Sequence, residues 1–531
     1  MTYCENNFQK SIFIAIALGL IISILVLGNR NSNIFLGIPL INSFELDNRE
    51  YKEGFIDNFQ LLYNGYQAPY IKESNLYIIP QDLSTADWNG VFSSSNAGCQ
   101  LYIKNDTFIN NKSKAIEENH IFQLYIVHNN ILEKRQIIFS GLPIMVIKDD
   151  NLLRSNNNIC GNLTFFDTNT VSFSQLEYHI KGNSTSVFDK KSYRINLKTE
   201  TGNKNKISFL NLTETDDWVI NALYTDDEKV REKLVADLWN EKCNENNESW
   251  QFPTVEYIEV VINDDYRGLY GLSTVINNDL ERTDKRNSCV LKVKKYIDID
   301  DFNWIGVKKD WERVGPFYMM IHNEDAVNPW ENVKELSRRF YQNDTKDNYT
   351  FSQCTDLINL NNQIDSYLFV NGLNMTDNCS SNGVVYVYDG RTNTFIRLMH
   401  DFDAIFTHWE HDAANPLIVN RFSTERKNEF IADIRSTTEM EQLLSKNPEL
   451  WSQIQKRWFY LRNSTFSTNN ITQLIDSYRN KLQKSGIWIR EKERWPDECM
   501  IADENWLPTF ISKRLEYLDE YYNKEHPKYK D

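Results

Sequence analysis

The sequence is poor in the residues that mark several classes of protein. Its 531 residues include only 19 glycines and 12 prolines, which excludes collagen-like and low-complexity chains. Its eight cysteines include no Cys-x-x-Cys pair, so the ligand spacing of a zinc site is missing. Acidic residues (74) outnumber basic ones (58), and the net charge of −16 repels phosphate backbones. We therefore expect no nucleic-acid partner.

The apolar content is sufficient for a large folded body. Hydrophobic residues make up 41% of the chain and aromatic residues 13%, which excludes a mostly disordered protein. The length suits two or three domains. Seven of the eight cysteines lie after residue 90. In an oxidising compartment they allow one to three disulfides, whose pairing the spacing does not define.

One long apolar run lies near the N terminus. Residues 11–28 carry no charge, and a helix of that length spans about 27 Å, close to the hydrocarbon thickness of a bilayer. We predict a short tail over 1–10 and a transmembrane signal anchor over 11–28, with a cleaved signal peptide as the alternative. Twelve Asn-x-Ser/Thr sequons and no second such run follow. We therefore expect a single-pass membrane glycoprotein of the secretory pathway with a lumenal or extracellular body, or a protein secreted after cleavage.

The residues after the anchor alternate between apolar and polar with a period of two. Short stretches of this kind recur over 33–140: FQLLY, NLYIIP, CQLYIK, HIFQLYIVH and RQIIF. The pattern predicts a small β-rich domain of unknown role, for which a sandwich is one arrangement. None of these stretches carries recognisable chemistry.

From Gly141 onward, strand patterns surround one helix. The stretches LPIMVIK, QLEYHIKG and KSYRINLK predict strands. Thr225–Glu228 fits a capping box at the start of a helix, on which Val230, Leu234 and Leu238 form one stripe. A hairpin is predicted next, from EYIEVVI through a turn at residues 263–265 to YRGLYGLSTV.

The second half of the chain has mainly helical periodicity. Apolar stripes with polar backs occur in LINLNNQIDSYLFVNGL, EFIADI, MEQLLS, LWSQIQKRWFYL, ITQLIDSYRNKLQ and TFISKRLEYLDEYY. Two short strands, VVYVY and TFIRLM, are joined through Asp389-Gly390, a hairpin-turn dipeptide. The predicted fold class is α+β, with a β-rich part followed by a helical part.

The most informative residues flank this second hairpin. Asp377-x-x-x-x-Asn382 precedes it, and His400-Asp401-Phe402-Asp403 follows it. Phosphoryl transfer needs a carboxylate beside the acceptor hydroxyl, together with oxygen ligands for Mg²⁺. Asp377 could orient the hydroxyl, while Asn382 and Asp401 could hold the metal. Protein kinases have the same D-x4-N spacing, followed by a hairpin and an Asp-Phe-Gly turn.

With these residues in place, the chain resembles the CotH family, the spore-coat-protein-H-like atypical protein kinases. The resemblance covers roughly residues 140–525 and rests on an ordered set of motifs. Besides the D-x4-N and HDFD residues, the set contains Lys181–Thr185, Lys190–Ile195, Asp216–Val219, Asp226 with Arg231, and the hairpin Asn263–Tyr270.

The resemblance implies an atypical, kinase-like two-lobed fold over 141–525, with an N-lobe at about 141–300 and a C-lobe at about 301–525. It implies ATP with Mg²⁺ or Mn²⁺ as cofactors, and transfer of the γ-phosphoryl group to Ser or Thr of a protein substrate. Asp377 takes the catalytic role. Asn382, Asp401 and Asp403 take the metal-binding roles.

The resemblance places the nucleotide beside the loop and strand that begin near Gly182. Gly182 and Ser184 are the candidate residues in the phosphate loop, and Lys190 or Lys191 contacts the phosphates. Because side chains alternate along a strand, only one of the two lysines can face the cleft. Lys191 is favoured if its face of the strand lies under the nucleotide, and Lys190 if that face is core. Glu232 on the following helix is the candidate ion-pair partner of the lysine.

Two departures from the family pattern leave other functions open. His400 stands where the family has tryptophan, and Thr274 stands where it has glutamate. A catalytically weak CotH-like cell-surface adhesion protein is therefore one alternative. Another is a type II membrane glycosyltransferase that uses Asp401 and Asp403 as a D-x-D motif, although such an enzyme needs alternating strands and helices before that motif.

Overall fold

The computed structural model divides into two compact units, Met1–Gly141 and Leu142–Asp531. No helix among the described residues is long and apolar enough to cross a bilayer, and the predicted anchor at 11–28 lies outside them. The described residues are 34–42, 51–155, 158–168, 170–182, 186, 188–210, 212–224, 226, 228–248, 251–275, 289–293, 313–314, 317–321, 330–342, 346–375, 378–379, 384–399, 402, 434–496 and 506–525.

The first unit is built mainly from strands, and the five stretches predicted to be strands are confirmed. Its larger sheet has the order β1-β2-β9-β10-β11-β7-β6, with β3 paired to β11, and a smaller sheet has the order β5-β4-β8. One short helix, α1 (Lys112–Glu117), lies between β9 and β10. The strands are β1 (Ile34–Phe35), β2 (Ile38–Ile41), β3 (Lys52–Glu53), β4 (Leu61–Tyr63), β5 (Tyr66–Gln67), β6 (Tyr70–Ile71), β7 (Leu76–Pro80), β8 (Phe92–Ser94), β9 (Gln100–Lys104), β10 (Phe122–His128) and β11 (Ile131–Ser140).

The second unit begins with a closed barrel of seven strands in the order β12-β13-β14-β15-β16-β18-β17. Parallel pairing of β12 with β17 closes it. Its interior is a hydrophobic core that includes Ile195, Trp218 and Tyr270, all fully buried. The strands are β12 (Ile144–Ser155), β13 (Asn158–Phe166), β14 (Val171–Lys181), β15 (Ser192–Lys198), β16 (Asp217–Asn221), β17 (Glu256–Ile262) and β18 (Asp265–Thr274).

The hairpin predicted from EYIEVVI and YRGLYGLSTV is confirmed as β17 and β18. Its two turn residues, Asn263 and Asp264, both have positive φ, at 53° and 63°. Two consecutive positive φ values define the type I′ turn, whose twist matches that of the flanking strands. The strand resumes at Asp265, one residue earlier than the predicted turn allows.

The helix predicted from the capping box begins later than expected. It is α2 (Arg231–Glu245), and Val230 occupies its N-cap position without a side-chain cap. Asp226 takes over the capping, because its carboxylate accepts from the backbone N–H groups of Glu228 (3.1 Å) and Arg231 (2.7 Å). Glu228 instead pairs with Arg479. The predicted stripe is confirmed, since Val230, Leu234 and Leu238 are fully buried, while Thr225 lies outside the described residues.

The rest of the described part of this unit contains a second sheet, eight further α-helices and a short 3-10 helix (Lys346–Asn348). The sheet has the order β20-β21-β19-β22-β23, so β19, which precedes the predicted lobe boundary at 300, pairs with a strand far beyond it. The strands are β19 (Cys289–Val293), β20 (Arg313–Val314), β21 (Phe317–Ile321), β22 (Val384–Asp389) and β23 (Thr394–Met399). The helices are α3 (Trp330–Phe340), α4 (Phe351–Thr355), α5 (Leu360–Gly372), α6 (Thr438–Lys446), α7 (Leu450–Arg462), α8 (Thr468–Lys484), α9 (Ile487–Arg494) and α10 (Trp506–Tyr522).

The α+β class is thus confirmed. Five of the six helical stretches are helices, and the sixth, EFIADI, lies almost entirely outside the described residues. The hairpin of VVYVY and TFIRLM is also confirmed. The described cysteines carry thiols and form no disulfide with one another.

Candidate functional site

The predicted catalytic and metal-binding residues are flanked by well-defined elements. Asp377, Asn382, Asp401 and Asp403 lie outside the described residues, so their roles stay predictions. The chain is described up to the residues just after α5, again at 378–379, through β22 and β23, and at Phe402. The flanking elements show where the chain enters and leaves the predicted site.

The helix and the strand that lead into the predicted site run in the same direction. Ile358, just before α5, forms a parallel bridge with Phe395 on β23. One turn into the helix, the Asn362 side chain donates to the Arg397 carbonyl (3.0 Å) and accepts from its N–H (2.7 Å). The C-terminal ends of α5 and β23 therefore lie on the same side. Asp377 follows α5 in the sequence, and Asp401 follows β23.

Two sequons beside Asp377 have no room for a glycan. Asn374 and Asn378 are each 1% exposed. A glycan is a large hydrated group that requires a surface asparagine. We conclude that neither asparagine carries a glycan in the folded protein.

The predicted phosphate loop follows β14. Gly182 has φ of 98°, a conformation that glycine adopts without a steric cost, whereas Ser184 lies outside the described residues. The Lys191 ammonium donates to two backbone carbonyls of this segment, those of Ser186 (2.9 Å) and Phe188. Lys191 is thus bound to the loop backbone, and its own strand β15 starts one residue later.

Lys190 and Lys191 lie directly before β15, and by alternation each shares a different face of that strand. Tyr193, Ile195 and Leu197 belong to the core inside the barrel. The face shared with Lys191 is therefore core, which is the case that favours Lys190 as the nucleotide-contacting residue. That role of Lys190 stays a prediction.

Lys190 forms a fully buried ion pair with Glu491 on α9. Both side chains are 0% exposed. The Lys190 ammonium also donates to the Leu269 carbonyl (2.6 Å) and lies 4.9 Å from the centroid of the Tyr270 ring. The second carboxylate oxygen of Glu491 accepts from the Leu269 N–H (2.8 Å). Both charges are thus paired with each other and with the backbone of β18.

The position of this ion pair follows from where a strand ends. β16 pairs with β18 only from Gly271 to Thr274. At Leu269 the backbone N–H and C=O on that side of β18 therefore have no partner strand. A buried peptide group without a partner is costly, and here Glu491 accepts from the N–H while Lys190 donates to the C=O.

Helix α9 contacts the same hairpin through a second buried pair. Arg490 donates to both carboxylate oxygens of Glu259 on β17, at 2.6 and 2.9 Å, and the Tyr266 hydroxyl donates to the same carboxylate. Burial acts to lower the pKa of Arg490, but the charges of Glu259 and Tyr266 and the hydrogen bonds to both side chains together hold that pKa above its usual value. The hairpin and α9 are therefore joined by two charged contacts at consecutive residues.

The sequence proposes Glu232 as the lysine partner, and the ion pair observed for Lys190 is with Glu491. Glu232 accepts a hydrogen bond from the Asn221 side chain (2.7 Å), and the carboxylate beside Lys190 is that of Glu491. Sequence reasoning missed Glu491 because it lies 301 residues from Lys190, in a helix whose pattern indicates only amphipathicity. Gly268 was the available signal, since any side chain there would overlap the Glu491 carboxylate.

The described residues contain no group of three or more His, Cys, Asp or Glu side chains arranged to hold a metal ion. The predicted ligands, two aspartates and an asparagine, supply the carboxylate and amide oxygens that Mg²⁺ and Mn²⁺ prefer. In donor chemistry, these residues fit such an ion.

Comparison with known proteins shows the family of the chain. The family model described as CotH kinase protein matches residues 178–518, which is 341 of the 531 residues. The matched range includes the predicted phosphate loop, Lys190, the two aspartate motifs and Glu491. No curated protein matches the chain.

Proposed function

Because the chain belongs to the CotH kinase family, we propose that it transfers the γ-phosphoryl group of ATP to serine or threonine hydroxyls of protein substrates. The observation that carries this proposal is the family match over 178–518, within which the D-x4-N and HDFD residues occur in order. In this proposal the barrel and β15 form the nucleotide side of a two-lobed, kinase-like arrangement. The α5–β23 region forms the catalytic side.

Each predicted residue has a defined role in this reaction. Asp377 accepts the proton of the substrate hydroxyl and orients its oxygen. Asn382, Asp401 and Asp403 hold a divalent cation through their side-chain oxygens. When bound, Mg²⁺ or Mn²⁺ neutralises charge on the phosphates. The common direction of α5 and β23 supports this assignment, because the two elements that precede the aspartate motifs in the sequence run the same way.

The nucleotide phosphates are assigned to the region around Gly182, Ser184 and Lys190. Protein kinases require a lysine that contacts phosphate and is held by a glutamate. Lys190 with Glu491 supplies such a pair, with the glutamate on α9 rather than on the helix after the strand.

The second candidate function is a CotH-like cell-surface binding protein without turnover. One observation favours it: the Lys190 side chain is 0% exposed and its ammonium is paired with Glu491. A lysine that stays paired in this way stabilises the fold without reaching a nucleotide. The glycosyltransferase alternative is not retained, because an antiparallel hairpin, β22 and β23, precedes Asp401.

Phosphate incorporation tests the proposal directly. The detergent-solubilised full-length chain is incubated with γ-labelled ATP, Mg²⁺ or Mn²⁺, and acidic or basic serine-rich proteins. Asp377→Asn should lower the rate by about 10²–10⁴-fold, the usual contribution of a positioned acid–base group. Asp476→Asn, a change at a carboxylate that is 58% exposed on α8, is the matched control. Absence of incorporation by the parent, together with no calorimetric binding of ATP, would exclude the kinase and leave the binding protein.

We also propose that residues 11–28 anchor the chain in a membrane and that the body faces the lumen or the cell exterior. The uncharged run supports the anchor, and the twelve sequons that follow it support the orientation. Expression in eukaryotic cells should give a membrane-bound protein whose mass falls on deglycosylation. A soluble, unglycosylated product would contradict both the anchor and the orientation.

A further inference from the structure

Arg397 on β23 is a buried arginine that contacts the predicted catalytic loop. Its side chain is 1% exposed. One terminal nitrogen of the guanidinium donates to the backbone carbonyls of Asn378 and Cys379, each at 2.7 Å. These are the two residues that directly follow Asp377. The other terminal nitrogen donates to Glu439 at 2.6 Å.

Glu439 fixes this guanidinium from the side away from the loop. It lies on α6 and is 0% exposed. One of its carboxylate oxygens accepts from Arg397, and the other accepts from the hydroxyls of Tyr341 and Tyr386. The two hydroxyls lie 2.7 Å apart. Three donors on one buried carboxylate leave it a single orientation, which in turn restricts the arginine.

The backbone of Arg397 is also fixed. Its N–H and C=O are both bound by the side chain of Asn362 on α5. Asp377 is the neighbour of Asn378, so their Cα atoms are about 3.8 Å apart. Asp401 follows Arg397 by four residues in the sequence, two residues after the end of β23. One side chain therefore links the segment that carries Asp377 to the segment that carries Asp401.

We propose that Arg397, oriented by Glu439, is a positioning residue for the predicted catalytic loop, because it holds the backbone of the two residues that follow Asp377. The inference rests on the proposed kinase function. A planar guanidinium can donate to two carbonyls with one nitrogen and to a carboxylate with another, whereas a lysine ammonium cannot reproduce that fork. Displacing a reacting group by about 1 Å can lower a rate by about 10²-fold.

The test compares Arg397→Lys and Glu439→Gln with the parent in the full-length chain. Both variants should lower kcat by about 10–10²-fold, while the KM for the protein substrate stays within about threefold, because the perturbation affects alignment rather than acceptor binding. Arg457→Lys is the matched control. Arg457 makes two hydrogen bonds to the buried carboxylate of Asp365, and no hydrogen bond of the described residues joins it to segment 378–379. An unchanged kcat in folded Arg397→Lys, or an equal fall in Arg457→Lys, would overturn the proposal.

Hydrogen exchange separates this inference from the proposed function. Peptides covering 374–383 should exchange faster in Arg397→Lys and in Glu439→Gln than in the parent, but not in Arg457→Lys. If the parent incorporates no phosphate, the kinase proposal fails and the exchange comparison still decides whether Arg397 holds the loop. If Arg397→Lys does not fold, Glu439→Gln, which keeps the side-chain volume, gives the same comparison. Unchanged loop exchange in the folded variants would refute the inference.

Discussion

Replacing Glu491 with glutamine should lower the free energy of unfolding of residues 142–531 by about 3–5 kcal/mol, the usual cost of breaking a buried ion pair. Both partners are 0% exposed, so water cannot compensate the Lys190 ammonium once its carboxylate is gone. The glutamine amide would also turn an N–H donor towards either the Leu269 N–H or the ammonium, both of which are donors. A loss near the upper end of the range is therefore expected.

A double-mutant cycle isolates the pair from its surroundings. Lys190→Met alone leaves a buried carboxylate and Glu491→Met alone leaves a buried ammonium, and each should cost a similar amount. The double variant Lys190→Met/Glu491→Met has no buried charge and loses mainly the partners of the two Leu269 peptide groups, at about 1–3 kcal/mol each. We expect the double variant to be more stable than the sum of the single effects predicts by at least about 2 kcal/mol.

A glycine comparison tests the same contact without changing a charge. Gly268 and Gly202 both have positive φ, at 83° and 81°. A Cβ at Gly268 would overlap the Glu491 carboxylate, whereas a Cβ at Gly202 would meet nothing within 4 Å. Alanine at either position has the same backbone strain, of about 1–2 kcal/mol. The additional loss in Gly268→Ala measures displacement of Glu491.

The assay is pulse proteolysis in urea with peptide-resolved mass spectrometry, which reports residues 142–531 separately from the first unit. Two results would refute the reasoning. One is a Glu491→Gln variant within about 0.5 kcal/mol of the parent, the range of an ordinary surface change. The other is strict additivity in the cycle, which would show that the two side chains do not interact.

Three further predictions concern pH, thiols and metal. Burial raises the pKa of Glu228, and the charge of Arg479 opposes this rise. A carboxyl whose pKa is raised in the folded state stabilises the fold at low pH, and this stabilisation is lost as the pH rises through the folded-state pKa. Arg479→Met should therefore cost more stability in urea at pH 7 than at pH 5, and equal losses would contradict this. Burial raises the pKa of the Cys243 thiol to about 11 and also raises the pKa of the Cys354 thiol. Both residues are 0% exposed, so maleimide should label these thiols only after denaturation. Rapid labelling of the native protein would contradict this packing. Chelation by EDTA should abolish phosphate incorporation, and Mg²⁺ or Mn²⁺ should restore it; activity that persists without metal would remove the metal-binding roles.

The local elements and the family could be predicted from the amino-acid sequence. The hairpin of β17 and β18 could be predicted because strand alternation and turn-forming residues are local signals, and Asn263 tolerates the positive φ that its turn requires. The helices of the second half were equally accessible, since a 3.6-residue period is visible within a single helix. The ordered motifs from Lys181 to Asp403 identified the family without any contact information, and residues 178–518 match its model.

The start of α2 was predicted wrongly because Asp226, which lies inside the predicted capping box, itself accepts hydrogen bonds from the backbone before and at the start of the helix. Thr225–Glu228 fits a capping box, yet the helix begins at Arg231, whose N–H is bound by Asp226. The competing interaction is tertiary: Glu228 pairs with Arg479 on α8, 251 residues away. The predicted capping box therefore does not form as expected, because its glutamate makes a tertiary contact that the sequence does not show.

Tertiary structure alone decided how distant segments meet. The barrel closes through parallel pairing of β12 with β17, and β19 joins the sheet of β22 and β23. Tertiary structure also placed Glu491 beside Lys190 and Arg397 beside the loop after Asp377. The physical reason is the same in each case. Unpaired backbone groups and buried charges must find partners, but which partner reaches them depends on how the chain folds back in three dimensions, and no period or spacing along the sequence records that.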